Sequence, residues 1–164
     1  MKFQLVFMGV ILGFFGISSM EDKPFPDTLP TRFFVQVGGG LDGTNSVELK
    51  KDILFFQRTE RGKVVVEKSF QVRPTKEAWT RFIQEINVAK LYRWSKNYQN
   101  LNVLDGEQWQ VDLEIDGRKI HSEGDNSYPT DGDEAKPTSS FPANSPPFDR
   151  LCQAVSHLIG HEFR

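Results

Sequence analysis

The chain has 164 residues, room for one domain rather than two. Hydrophobic residues make up 38%, charged residues 26%, and fourteen Phe with three Trp supply bulk for a core, which excludes a wholly disordered chain. A formal net charge of −2 argues against a whole-molecule electrostatic grip on nucleic acid or on an anionic membrane, and a single cysteine excludes an intrachain disulfide and a thiolate metal cage.

The amino-terminal twenty residues read as an address. Lys2 is the only charge before Glu21, and Phe3 to Ile17 is apolar except for Gln4. A basic start, a run of about 15 apolar residues and the small-residue exit Ser18-Ser19-Met20 describe a secretory signal peptide. The run is short of the roughly 20 apolar residues a membrane span needs. An uncleaved anchor and a buried helix are the alternatives. No cysteine lies near the exit, so lipidation there is not expected. The reading is therefore signal peptide 1–20, linker 21–31 and one domain over 32–164. It implies an exported protein, periplasmic or extracellular, with no membrane span after cleavage.

Arg32 to Val37 predicts a short strand, and the Gly-rich stretch after it a flexible turn. Asp52 to Thr59 and Lys63 to Val72 carry the β-branched and aromatic residues of strands. Glu60-Arg61-Gly62 between them suits a tight hairpin with Gly62 left-handed. Thr75 then caps a helix, and Trp79, Phe82, Ile83 and Ile86 form one apolar stripe on it. Glu107 to Ile115 alternates, with Trp109, Val111, Leu113 and Ile115 facing one way. Asp116-Gly117 is a two-residue type I′ hairpin signal, and it sets a register: Ile115 against Arg118, Glu114 against Lys119, Leu113 against Ile120, Asp112 against His121. Residues 124–147 read as one long loop. Ser145-Pro146-Pro147 opens a last helix with the stripe Phe148, Leu151, Cys152, Val155, Leu158 and Ile159, stopped at Gly160. Cys152 lies in that stripe and reads as a buried, inert thiol. The order β-β-β-α-β-β-α predicts an α+β fold, one antiparallel sheet of about five strands with two helices packed on one face.

Few motifs carry chemistry. Gly38, Gly40 and Gly43 spell G-x-G-x-x-G, but about eight residues separate Gly43 from the next strand, too few for the phosphate-binding helix. His157 and His161 share a helix face, yet Leu158 stands where a zincin needs Glu. Asp125, Asp131, Asp133 and Glu134 hint at calcium, but Thr130 and Lys136 occupy the Gly and Glu positions of an EF-hand. No metal site and no cofactor is expected. His121 facing Asp112 reads as a surface cross-strand pair; the alternative, a Ser-His-Asp arrangement, would need three groups to converge in a pocket, and Ser122 points to the opposite face. Asp112 and Glu114, about 7 Å apart on one strand face, read as a solvated pair of carboxylates. Charge is uneven: residues 48–76 carry eight Lys and Arg against four acids, and residues 105–136 ten acids against three bases. This allows either internal complementarity or a bipolar surface that orients a partner.

Residues 92–109 are dense in aromatics, which either cap the core or serve as anchors for a partner. Trp94-x3-Tyr98, Asp105-Gly106-x2-Trp109, the Gly124-x-Asn126-x-Tyr128-Pro129 run and a final helix opening at Phe148 form a set. That set resembles a group of uncharacterised bacterial exported proteins and lipoproteins, over about residues 90–160. The resemblance implies architecture and export, with no activity or cofactor attached. The chain departs from the group in lacking a lipobox cysteine and in carrying an apparent insertion at 130–147. In the run itself, Gly124 is expected to turn the chain, Asn126 to close that turn, and Tyr128-Pro129 to pin the loop.

The functional expectation is an exported, non-enzymatic binding module, its candidate surface formed by Trp94, Tyr98, Asn126 and Tyr128. Its partner would be a protein or small molecule of the envelope or the extracellular space, not a nucleic acid. The alternatives are a small secreted hydrolase using His121 and Asp112, and an inhibitor or structural envelope component.

Overall fold

The β7–β8 hairpin follows directly from its sequence. β7 (Gln108–Ile115) and β8 (Arg118–Asp125) pair antiparallel with Ile115 opposite Arg118, Leu113 opposite Ile120 and Asp112 opposite His121. Asp116 and Gly117 between them both take positive φ, +50° and +73°, the type I′ turn whose twist matches the strands. A computed structural model describes residues 23–39, 43–103, 106–131 and 145–164. The proposed signal peptide therefore lies outside the described residues. No helix among the described residues is long and apolar enough to cross a membrane.

The other elements are β1 (Arg32–Gly39), β2 (Gly43–Lys50), β3 (Ile53–Glu60), β4 (Lys63–Val64), β5 (Phe70–Val72), α1 (Lys76–Val88), β6 (Asn97–Gln99) and α2 (Pro146–Ile159). The fold is α+β. The sheet runs β4-β3-β2-β1-β7-β8-β6, with β5 also paired to β3, and is antiparallel throughout except for β6 against β8.

Among the described residues eight strands replace the expected five or so, for three physical reasons. The turn region after β1 contains a full strand, β2, whose Gly43-Thr44-Asn45-Ser46 start has weak β-propensity. Pairing on both edges, with β1 and with β3, secures it. β6 is three residues long and lies parallel to β8, with no local signal at all. The expected strand over 63–72 is broken by a 3-10 turn at Val66–Lys68. There the Ser69 hydroxyl donates to the Val65 carbonyl at 2.8 Å and accepts from the Arg58 N–H at 3.3 Å, standing in for ladder bonds. The immediate β1–β2 return also removes any dinucleotide-type crossover helix.

Both helices cover the same sheet face. Phe33 of β1 meets Trp79 and Phe82 of α1 edge-on, at 5.8 and 5.1 Å between ring centroids. Trp109 of β7 meets Phe148 of α2 at 5.0 Å. The caps follow the sequence: the Thr75 hydroxyl accepts from the Ala78 N–H, the Ser145 hydroxyl from the Phe148 N–H, and Gly160 ends α2 at φ +67°. The described part of the expected linker is packed rather than loose. Phe25 is buried, its N–H donates to Asn87 Oδ1 at 2.7 Å, and Asn87 Nδ2 donates back to the Phe25 carbonyl at 3.0 Å.

Candidate functional site

The four residues expected to form a binding surface converge, but inward. Tyr98, Tyr128 and Asn126 are 1%, 0% and 3% exposed, and Trp94 is half-buried against the core. Trp109 stands at their centre, with Trp94 edge-on at 5.7 Å, Tyr98 at 5.5 Å and Tyr128 at 6.5 Å. Each polar handle has an internal partner. Trp109 Nε1 donates to the Ser127 carbonyl at 2.9 Å, Trp94 Nε1 to the Ala89 carbonyl at 3.0 Å, and the Tyr128 hydroxyl to Glu107 Oε1 at 3.0 Å. The Tyr98 hydroxyl accepts from the Ser95 N–H at 2.9 Å. Burial raises both phenol pKa values, helped at Tyr128 by the Glu107 carboxylate. These aromatics tie the 92–99 and 126–129 segments to the sheet, and three of the four residues offer no solvent-facing surface. Burial of an aromatic with a satisfied polar tip is the ordinary outcome for such loop residues.

Gly124 does not turn the chain. It lies inside β8, and its missing side chain makes room for the Trp109 indole and the Ser127 carbonyl. The turn is carried by Asn126 at φ +51°, whose N–H donates to the Glu107 carbonyl at 3.0 Å and whose Nδ2 donates to Asp125 Oδ1 at 2.8 Å. Asn126 Oδ1 is buried and accepts no hydrogen bond among the described residues.

His121 and Asp112 do meet, on the sheet face away from the helices. His121 Nδ1 lies 2.8 Å from Asp112 Oδ1, and Nε2 lies 3.7 Å from Glu123 Oε2. Gln110 Nε2 donates to Asp112 Oδ2 at 2.7 Å, and Arg32 approaches the same oxygen at 3.8 Å. Ser122 is buried on the opposite face, its hydroxyl donating to the Ser95 carbonyl at 2.6 Å. His157 binds Glu85 at 2.9 Å and Arg81, bridging α2 to α1, while His161 packs on the Phe56 and Phe70 rings. Asp131 pairs with Arg150, and Asp133 and Glu134 lie outside the described residues. Among the described residues no three His, Cys, Asp or Glu side chains group as a metal cage. The basic stretch 48–76 supplies β3, β4 and β5 and the acidic stretch the β7–β8 hairpin, and β1 lies between them in the sheet, so the two charge-biased stretches are not strand neighbours.

The feature the sequence analysis missed is the outer face of the sheet. No described helix lies over it, and its side chains are half-buried or exposed. Strand register sets two polar rows across it. Gln36, Gln110, Glu123 and Asn97 are successive partners on β1, β7, β8 and β6; Gln108, Asp125 and Gln99 form the next row. Gly38 stands opposite Gln108 and adds no side chain to that row. A groove of about 210 Å³ lies among these residues, and no basic side chain lines it. The side chains of Gln36, Asn97, Gln99 and Gln108 have no hydrogen-bond partner among the described residues. The available signal was the glutamine at alternate positions 108 and 110. The short β6 that completes the groove left none.

Compared with protein-family models the chain matches none, and no curated protein matches it.

Proposed function

We propose that the protein is an exported, non-enzymatic binding module, acting in the periplasm or outside the cell, and that its working surface is the groove on the outer sheet face. The observation that carries this reading is the convergence of four unpartnered amide side chains, from three strands, on a concavity that no described element covers. Side chains held on registered strands are preorganised, so a ligand need not order them on binding. The aromatic cluster supports this surface from behind, since Tyr98 and Trp109 place β6 and β7 next to β8. Export is supported by the sequence of residues 1–20 alone.

The test is capture of material from cell-envelope and secreted fractions by three matched proteins. These are the wild type, the groove variant Gln36→Ala/Asn97→Ala/Gln108→Ala, and the helix-face variant Gln84→Ala/Gln153→Ala. Material held by the wild type and the helix-face variant but lost by the groove variant supports the reading. Capture unchanged in the groove variant contradicts it.

A second reading, a small secreted hydrolase, is favoured by the 2.8 Å contact of His121 Nδ1 with Asp112. A carboxylate on Nδ1 orients the ring and fixes its tautomer, the arrangement of a general base. With Ser122 facing the core, the attacking group would be water. That reading requires a hydrolytic activity whose pH–rate profile disappears in His121→Ala.

A further inference from the structure

We infer that the groove takes a neutral, hydroxyl-rich ligand, a saccharide, an inference that rests on the groove reading above. The argument is one of complementary chemistry. Each unpartnered amide offers one acceptor oxygen and two N–H donors, whereas the Glu123 and Asp125 carboxylates only accept. A sugar hydroxyl donates and accepts at once. Vicinal hydroxyls can therefore donate to a carboxylate and accept from a neighbouring amide in the same row.

Other ligand classes fit less well. An anion would meet two carboxylates and no lining cation, an uncompensated repulsion in a partly desolvated groove. An organic cation would satisfy Glu123 and Asp125 but leave amide N–H donors without acceptors, and donors stripped of water and left unpaired weaken binding. An apolar ligand would strand the amides and carboxylates that make up most of the lining.

Shape agrees with this chemistry. The concavity is open and shallow, and its two rows run across four strands, a span of roughly 15 Å at about 5 Å per strand. That length suits a short chain of sugar rings better than a single enclosed molecule. Phe34 lies two residues from Gln36 on the same face of β1, half-buried, opposite Asp112 in the neighbouring row, and sets an apolar shelf beside the groove for the C–H side of a ring. His121, held by Asp112, lies at the groove's edge beside Glu123.

The test uses the purified full chain and its Gln36→Ala/Gln108→Ala variant on an array of neutral and acidic oligosaccharides, followed by titration calorimetry. Spermine and a tri-lysine peptide are the cationic probes. Thermal melting of the variant checks that replacing half-buried Gln36 and exposed Gln108 leaves the fold intact. The expected result is binding of at least one neutral oligosaccharide, weakened tenfold or more in the variant. Neutral binding that the variant leaves unchanged overturns the inference. Binding confined to acidic glycans also overturns it. Spermine or tri-lysine binding that the variant abolishes, without neutral glycan binding, overturns the saccharide assignment while leaving the groove as the working surface. Binding in no arm overturns the saccharide inference, and the capture experiment then decides the groove reading separately.

Discussion

Replacing Gly124 with alanine should damage the fold far more than replacing Gly117, although both are glycines of the same β-strand or its turn. A Cβ on Gly124 would lie 2.5 Å from the Ser127 carbonyl oxygen and closer still to Nε1 and Cε2 of Trp109. The indole must move, and its 2.9 Å bond to Ser127 breaks. Overpacking of a dense core costs about 2 kcal/mol, and a buried donor and acceptor left unpaired cost about 2 kcal/mol more. Against this, alanine restricts the unfolded chain and returns about 0.7 kcal/mol. The net loss is about 3 kcal/mol, or about 6–12 °C in Tm for a chain of this size. Gly117 sits at φ +73° with nothing within 4 Å of a built Cβ, so alanine there meets only backbone strain. That strain is about 1–2 kcal/mol, offset by the same unfolded-state term, for a net loss of about 1 kcal/mol. Urea unfolding followed by tryptophan fluorescence measures both variants on one scale. Losses within about 0.5 kcal/mol of each other, the scatter expected of such estimates, would refute the close approach of Trp109 to Gly124.

Three further predictions concern the same half of the molecule. Trp94→Ala removes the edge contact with Trp109 and the bond to the Ala89 carbonyl, and should lower stability by about 3 kcal/mol in urea unfolding; a variant as stable as the wild type would show Trp94 to be a surface group. Tyr128→Phe removes the donor to Glu107, which keeps its ion pair with Arg164 at 2.9 Å, so the loss should be about 1 kcal/mol in the same assay. Burial pushes the Cys152 thiol from its ordinary 9.0 up to about 12. The folded state then keeps a proton that the unfolded state has released, so stability falls as pH rises through that window, by about 1.4 kcal/mol per unit for this one group. Below pH 9 both states hold the proton and the slope vanishes. Chemical denaturation between pH 8.5 and 10.5 should show the wild type losing stability faster than Cys152→Ala, and equal slopes would refute the buried thiol.

The parts of the fold written in local periodicity were legible. The Trp79–Ile86 stripe, the α2 stripe closed by Gly160 and the β7–β8 register all depend on residues close in sequence. β2 and β6 were not legible, because their residues are held by partners rather than by propensity. The same cause hid the groove. Gln36, Gln110, Glu123 and Asn97 span 36 to 123 in the chain, and only the strand order makes them neighbours. The Trp94, Tyr98, Asn126 and Tyr128 set was legible as a cluster but not in its direction. Aromatic rings with polar tips suit an interface or a core equally, and only the internal acceptors at Ala89, Ser127 and Glu107 decide between them.

The most direct test of the account separates the groove from the aromatic cluster in one spectrum. Side-chain NH2 resonances of Gln36, Asn97, Gln99 and Gln108, and the indole N–H resonances of Trp94 and Trp109, are followed by NMR as captured material is added to the labelled protein. The account predicts that the four amide pairs shift while the indole of Trp94, which lies outside the groove, holds its position. Shifting indoles with unmoved amides would place binding at the aromatic cluster and contradict it.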